Sequence, residues 1–319
     1  MADPHMFIPP CLPGPVFGRR RHGPAWPLAL ALLFLGVPVL SGEPAWAQPA
    51  RQAPAPVAPQ LGPVPSWTDW ADLALSSPVV LHVEVGSVKR LSRRAAPDVP
   101  AGAVRAIVRA GLRAAIRAPG ILPAEAAWRW QGPAGPRGRV PIPRGAPLLV
   151  FAQALSGGGD PAVQPLELVQ PGGQQPWSAA GEAIVRDVLK QALSPSARVM
   201  LVTGVRDAFR SEGDLAGASE SQFFLEATDG RPLTLLVTRK PGTGPMVRVA
   251  TGDLVDRAQP VAPRTLLWRG LACGLPEMLP PALAANRGLA DDYALARSDI
   301  GACGRRIGVP GTWRGNSPG

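Results

Sequence analysis

The chain has 319 residues, 40 of them proline and 36 glycine, with 33 Lys and Arg against 23 Asp and Glu for a net charge of +10. It holds only 3 histidines and 3 cysteines, and just His82, Cys273 and Cys303 lie beyond residue 47, so a His/Cys zinc site there would need all three and a Ser/His/Asp triad could only be built on His82. All cations except Lys89, Lys190 and Lys240 are arginine, in an Ala-, Gly- and Pro-rich chain that looks GC-coded, so the charge suits a polyanion without specifying one.

Arg19, Arg20, Arg21 and His22 precede an apolar run over 28–40, and Ala45-Trp46-Ala47 follows, the layout of a secretory signal peptide over 1–47. The run is about 13 residues long and contains Pro38, short of the roughly 20 that a spanning helix requires. The expectation is a periplasmic or secreted protein with no transmembrane helix in the mature chain. Processing would leave His82, Cys273 and Cys303 as the only histidine and cysteines, and would lower the charge by one unit. In an oxidising compartment two cysteines suggest one disulfide, the alternative being two buried thiols. Residues 48–65 are one-third proline and read as a disordered tether of up to roughly 55 Å at about 3.1 Å per residue.

A β-rich subdomain is expected over 66–175. In PVVLHVEV, Val79, Leu81, Val83 and Val85 alternate with Val80, His82 and Glu84, the period of a half-buried strand. His82 and Glu84 share its more polar face, either as an acid/base pair or, the simpler reading, as two solvated side chains. In AVRAIVRAGLRAAIRA, over 103–118, Arg105, Arg109, Arg113 and Arg117 recur every four residues, a spacing open to helix or strand. Neighbouring β elements favour one long strand with the four arginines in a row, a candidate surface for a polyanion. Strands follow at 125–131, 147–153 and 163–169, separated by Pro- and Gly-rich turns. Five short strands in about a hundred residues suggest a small barrel or sandwich, OB-like by preference.

Ser178 caps a helix over 179–193 and opens a second α+β subdomain, expected over 176–304. Strands are expected at 199–209, 222–227, 232–238 and 246–251, with Asp229-Gly230 as a two-residue hairpin turn. Helices at 265–272 and 288–300 would be tied by Cys273–Cys303, and 305–319 reads as a flexible tail. The fold class is therefore α+β, mostly β: barrel or sandwich, helix, antiparallel unit, C-terminal helices.

No phosphate-binding glycine loop, nucleophile elbow or metal-ligand cluster stands at a strand-to-helix junction, so no cofactor or metal is expected. Asp291-Asp292 reads as favourable charge near a helix start rather than a metal pair. The acidic loop over 211–221 lacks the alternating ligands of an EF-hand and reads as a hairpin connection. Trp67, Trp70, Trp128 and Trp130 suit core packing better than sugar stacking.

The blocks WADLALSSPVVLHVEV (70–85), GRVPIPRGAPLLVFAQ (138–153), VTGVRDAFRSEGDLAG with SESQFFLEATDGRPL (202–233) and TLLWRGLACGLP (265–276) resemble a group of uncharacterised exported proteins of sphingomonad-type alphaproteobacteria. The resemblance implies export and carries no catalytic residues. This chain departs from the group in its alanine-arginine segment. The functional expectation is a non-enzymatic envelope protein that binds a protein partner or an anionic envelope polymer, with no nucleic acid expected. The alternative is a hydrolase acting through a carboxylate pair.

Overall fold

The computed structural model describes residues 63–156, 160–252, 255–308 and 311–312; the expected signal peptide and most of the tether lie outside them. Among the described residues no helix is long and apolar enough to cross a membrane.

The first element is a helix that the periodicity reading missed, α1 (Trp67–Ser76). A reciprocal cap starts it: the Ser66 hydroxyl accepts from the Asp69 N–H at 3.1 Å, and Asp69 accepts from the Ser66 N–H at 2.8 Å. The helix ends where the Ser76 and Ser77 hydroxyls donate to the Asp72 and Leu73 carbonyls, just before Pro78.

Five strands then close a barrel: β1 (Val79–Arg90), β2 (Ala103–Arg117), β3 (Glu125–Pro133), β4 (Pro147–Ala154) and β5 (Val163–Gln170). Around the ring the order is β1-β2-β3-β5-β4 and back to β1, antiparallel at every seam except β3–β5, which is parallel. This is an OB-like Greek-key barrel. The alanine-arginine segment is one strand. Val104, Ala106, Val108 and Ala110 are buried along it, and its pairing with β1 shifts register three times. The core combines Leu81, Val83, Val108, Trp128, Leu148 and Leu166. The β3–β5 ladder covers only Glu125–Trp128 against Val163–Leu166, so beyond Trp128 the two strands separate.

A short β6 (Gln174–Pro176), reached through a cis Gln170-Pro171 bond, extends the sheet beside β4. The helix α2 (Ala179–Ala192) is capped by Ser178, as expected. Expected to open the second subdomain, it packs instead with α1 on the outside of the barrel. There Val185 and Val188 meet Trp70, Val80, Leu149 and Phe151. That cover explains why PLLVFA reads as a continuous apolar run: both faces of β4 are buried. Leu193, expected in the apolar stripe, caps the helix from solvent.

The second sheet is antiparallel, β10-β9-β8-β7, from β7 (Val202–Glu212), β8 (Ser219–Ala227), β9 (Thr234–Arg239) and β10 (Met246–Ala250). Strand β7 begins three residues later than expected. The turn at Asp229-Gly230 is not a two-residue hairpin: the β8–β9 ladder ends at Phe224 opposite Thr234, and only Gly230 has positive φ. A two-residue type I′ turn needs positive φ at both central positions, which Asp229 does not adopt. Its carboxylate is held instead by Arg198 and Arg231.

Helices α3 (Leu266–Ala272) and α5 (Arg287–Ile300), with the single turn α4 (Pro281–Ala284) between them, cover this sheet. Phe223, Leu235, Val237, Leu271, Tyr293 and Ile300 meet in the second core. Cys273 and Cys303 form a disulfide with Cα atoms 4.7 Å apart. Of the tail expected over 305–319, the described residues are held in place, and the rest lies outside the described residues. Arg305 donates to Asp72 at 2.7 Å, the Arg306 and Ile307 N–H groups donate to Asp69, and the two-residue β11 (Gly311–Thr312) pairs with β5.

Candidate binding cleft

The arginine row is less available than its spacing suggests. Arg105 is only 8% exposed: its guanidinium meets Asp98 at 2.9 and 2.7 Å and the Gln131 Oε1 at 2.8 Å. The expectation that it faces solvent is corrected by this fork, which also holds the Asp98 carboxyl below its usual range. Arg109 lies 3.7 Å from Asp160, Arg113 bonds Glu84, and Arg117 donates to the Ala74 carbonyl at 3.3 Å. A row of four uncompensated cations does not exist, although Arg109, Arg113 and Arg117 remain exposed.

The arginine that matters most to a cleft is one that the spacing argument passed over. Where β3 and β5 part, a cleft of about 260 Å³ opens, lined by Arg105, Arg129, Gln131, Glu167 and Gln170 with the buried Leu166 and Leu168 beneath and the exposed Leu155 at its side. The strand period places these groups. Trp128 and Trp130 turn inward from β3, so Arg129 and Gln131 turn outward; Leu166 and Leu168 do the same for Glu167 on β5. Trp128 donates its indole N–H to Gln174 Oε1 at 2.8 Å, which ties β3 to β6. Arg129 lies close enough to help depress Asp98, and Glu167 is bonded to Gln153. The cleft thus sets the Arg129 guanidinium and two amide side chains beside one carboxylate, above the buried Leu166 and Leu168.

His82 and Glu84 do not act together. Glu84 turns to Arg113, whereas His82 Nδ1 lies 3.3 Å from Glu182 in the first turn of α2 and its ring stacks on Trp177, centroids 4.6 Å apart. Burial alone would raise the Glu182 carboxyl; the Trp177 N–H and Arg186, helped by His82, outweigh it and hold the group below its ordinary value. This pair fastens α2 to β1.

Two other acids are locks. Asp72 receives Arg269 and Arg305, joining α1 to α3 and the chain after the disulfide. Asp292, which the sequence suggested was helix-start charge, lies in the second turn of α5 and is fully buried. It accepts from Ser221 and Arg239 at 2.6 Å each and from Arg210. Gly288 lets Arg210 through, since a Cβ there would come within 2.6 Å of its Nε. Among the described residues no group of three or more His, Cys, Asp or Glu could hold a metal. The loop over 213–218 is a hairpin connection between β7 and β8. Of the four tryptophans weighed for stacking, Trp70, Trp128 and Trp130 are buried, while Trp67 packs edge-on to Trp268.

No protein-family model matches the chain, and no curated protein matches it.

Proposed function

We propose that this is an exported, non-enzymatic binding protein of the cell envelope, related to the exported group noted above, whose barrel holds an acidic envelope polysaccharide in the β3–β5 cleft. One observation carries the reading: the ladder stops at Trp128, and Arg129, Gln131, Glu167 and Gln170 line the gap this leaves. Guanidinium and amide donors suit carboxylate or phosphate groups on a sugar chain, and a carboxylate acceptor suits its hydroxyls. Nucleic acid is a poorer fit, because the neighbouring Trp128 and Trp130 face the core and give no platform for stacked bases. A carboxylate-pair hydrolase would need two acids facing one space; the cleft lining contributes Glu167.

The test is binding of heparin and of lipopolysaccharide titrated against salt. Arg129→Gln is expected to weaken binding and lower the logarithmic salt slope by about one, while Arg113→Gln leaves both nearly unchanged. Parent-like affinity and slope in Arg129→Gln would remove the cleft from consideration.

A further inference from the structure

The second unit carries a cavity that the barrel reading does not use. It measures about 760 Å³ and lies between α3, α5 and the chain over 275–280, within the usual size range of small-molecule sites. Its floor is apolar: Leu271, Leu279, Tyr293 and Ile300 are all buried. Tyr293 donates its hydroxyl to the Pro276 carbonyl at 2.8 Å, and burial pushes its pKa up to about 12, so the floor stays uncharged. On α5 the positions i, i+4 and i+7 facing the cavity are Ala290, Ala294 and Arg297, two methyl groups followed by a cation. The small side chains leave the space, and Met278, 80% exposed, stands at its edge.

Charge is segregated in the same way. Glu277 and Arg297 sit at the exposed margin, where Arg297 Nη1 donates to the Glu277 carbonyl at 2.5 Å and, among the described residues, no ion pair engages its five-donor fork. An apolar floor with a guanidinium at the mouth matches a molecule with an apolar tail and an anionic head. A peptide or sugar would bring many polar groups to a floor whose one side-chain polar atom, the Tyr293 hydroxyl, is already bonded to the Pro276 carbonyl.

We infer that this cavity binds a single-chain fatty carboxylate, its tail over Leu271, Leu279 and Ile300 and its head at Arg297. The site is separate from the barrel cleft and stands or falls independently of it.

Calorimetric titration of the full chain with decanoate, dodecanoate and tetradecanoate below their micelle concentrations tests the inference. Affinity is expected to rise about fourfold per added methylene, the gain for burying one. Ala294→Trp, at an exposed position, fills the cavity and is expected to abolish binding. Ala290→Phe is a second filling variant should the first unfold, and circular dichroism checks both. Arg297→Gln, which keeps a donor for the Glu277 carbonyl, is expected to weaken dodecanoate roughly fivefold, the scale of an exposed charge pair, and to leave dodecanol unchanged. Absence of any chain-length dependence, undiminished binding in both folded filling variants, or equal effects of Arg297→Gln on acid and alcohol would overturn it. So would binding to anionic phospholipid vesicles without binding to the free acids, which would make the ligand a membrane surface.

Discussion

The barrel and the C-terminal unit are both rich in arginine–carboxylate pairs, yet they place them in opposite surroundings. On β2 the Arg113–Glu84 pair is open to water, its side chains 59% and 43% exposed. In the C-terminal unit Asp292 is wholly buried between Arg210 and Arg239, with Ser221 completing its bonds. Water screens the first kind and leaves it weak; a buried pair that loses one partner strands a charge where nothing can solvate it. The comparison therefore separates arginines that hold the fold from arginines that a ligand can recruit. Asp72, buried between Arg269 and Arg305, belongs with the former.

This contrast can be broken most directly at Asp292. Asp292→Ala is expected to cost about 3–5 kcal/mol, because Arg210 and Arg239 lose their shared acceptor. Urea unfolding gives the number, and a loss below about 1 kcal/mol would mean that water already reaches this network. Reduction of Cys273–Cys303, a separation of 30 residues, should come next, at about 3.5 kcal/mol on the chain-entropy model. Paired urea titrations with and without reductant measure it.

A smaller effect is expected from acid. Hydrogen bonds from Arg198, with further ones from Arg231, outweigh burial and hold the Asp229 carboxyl well below its ordinary value. A carboxyl depressed in the folded state adds stability that is complete above the unfolded pKa, near 3.9, and fades as pH falls toward the folded value. Asp229→Asn should therefore flatten the acid limb of stability below about pH 4, and an unchanged limb would show that the pair contributes nothing. Least of all should follow from Arg113→Gln, within about 0.5 kcal/mol of the parent, since Glu84 remains hydrated without it. A larger loss would place that surface pair with the buried locks.

How far each element could be read depended on the range of the interaction that made it. The strand over 79–90 announced itself through two-residue alternation and α2 through its cap and apolar stripe, whereas 103–117 was open to helix or strand until its β neighbours were weighed. Helix α1 carried a local signal too, the Ser66–Asp69 cap, but it is only ten residues long and buries Thr68, Asp69 and Asp72 among its apolar residues, with Asp72 facing a partner 197 residues away. The cleft was harder. Arg129, Gln131 and Glu167 are ordinary outward positions on their strands, and only the parallel meeting of β3 with β5 brings them to one gap. Four evenly spaced arginines were conspicuous in the sequence, whereas the carboxylates that pair with three of them come from 84, 98 and 160 and leave no periodic trace.

By itself the sequence determined what depends on neighbours within a turn or a strand: the period-two strand over 79–90, the Ser178 cap, the polar connection read over 211–221 that the structure narrows to 213–218, and the cysteine pair available for a disulfide. Only the tertiary structure decided the closure of the barrel, the burial of Arg105 and Asp292, and the union of His82 with Glu182 rather than Glu84. The reason is physical. Backbone periodicity is set by local geometry, whereas the state of a charge is set by whatever the rest of the chain packs around it, and that is a long-range property.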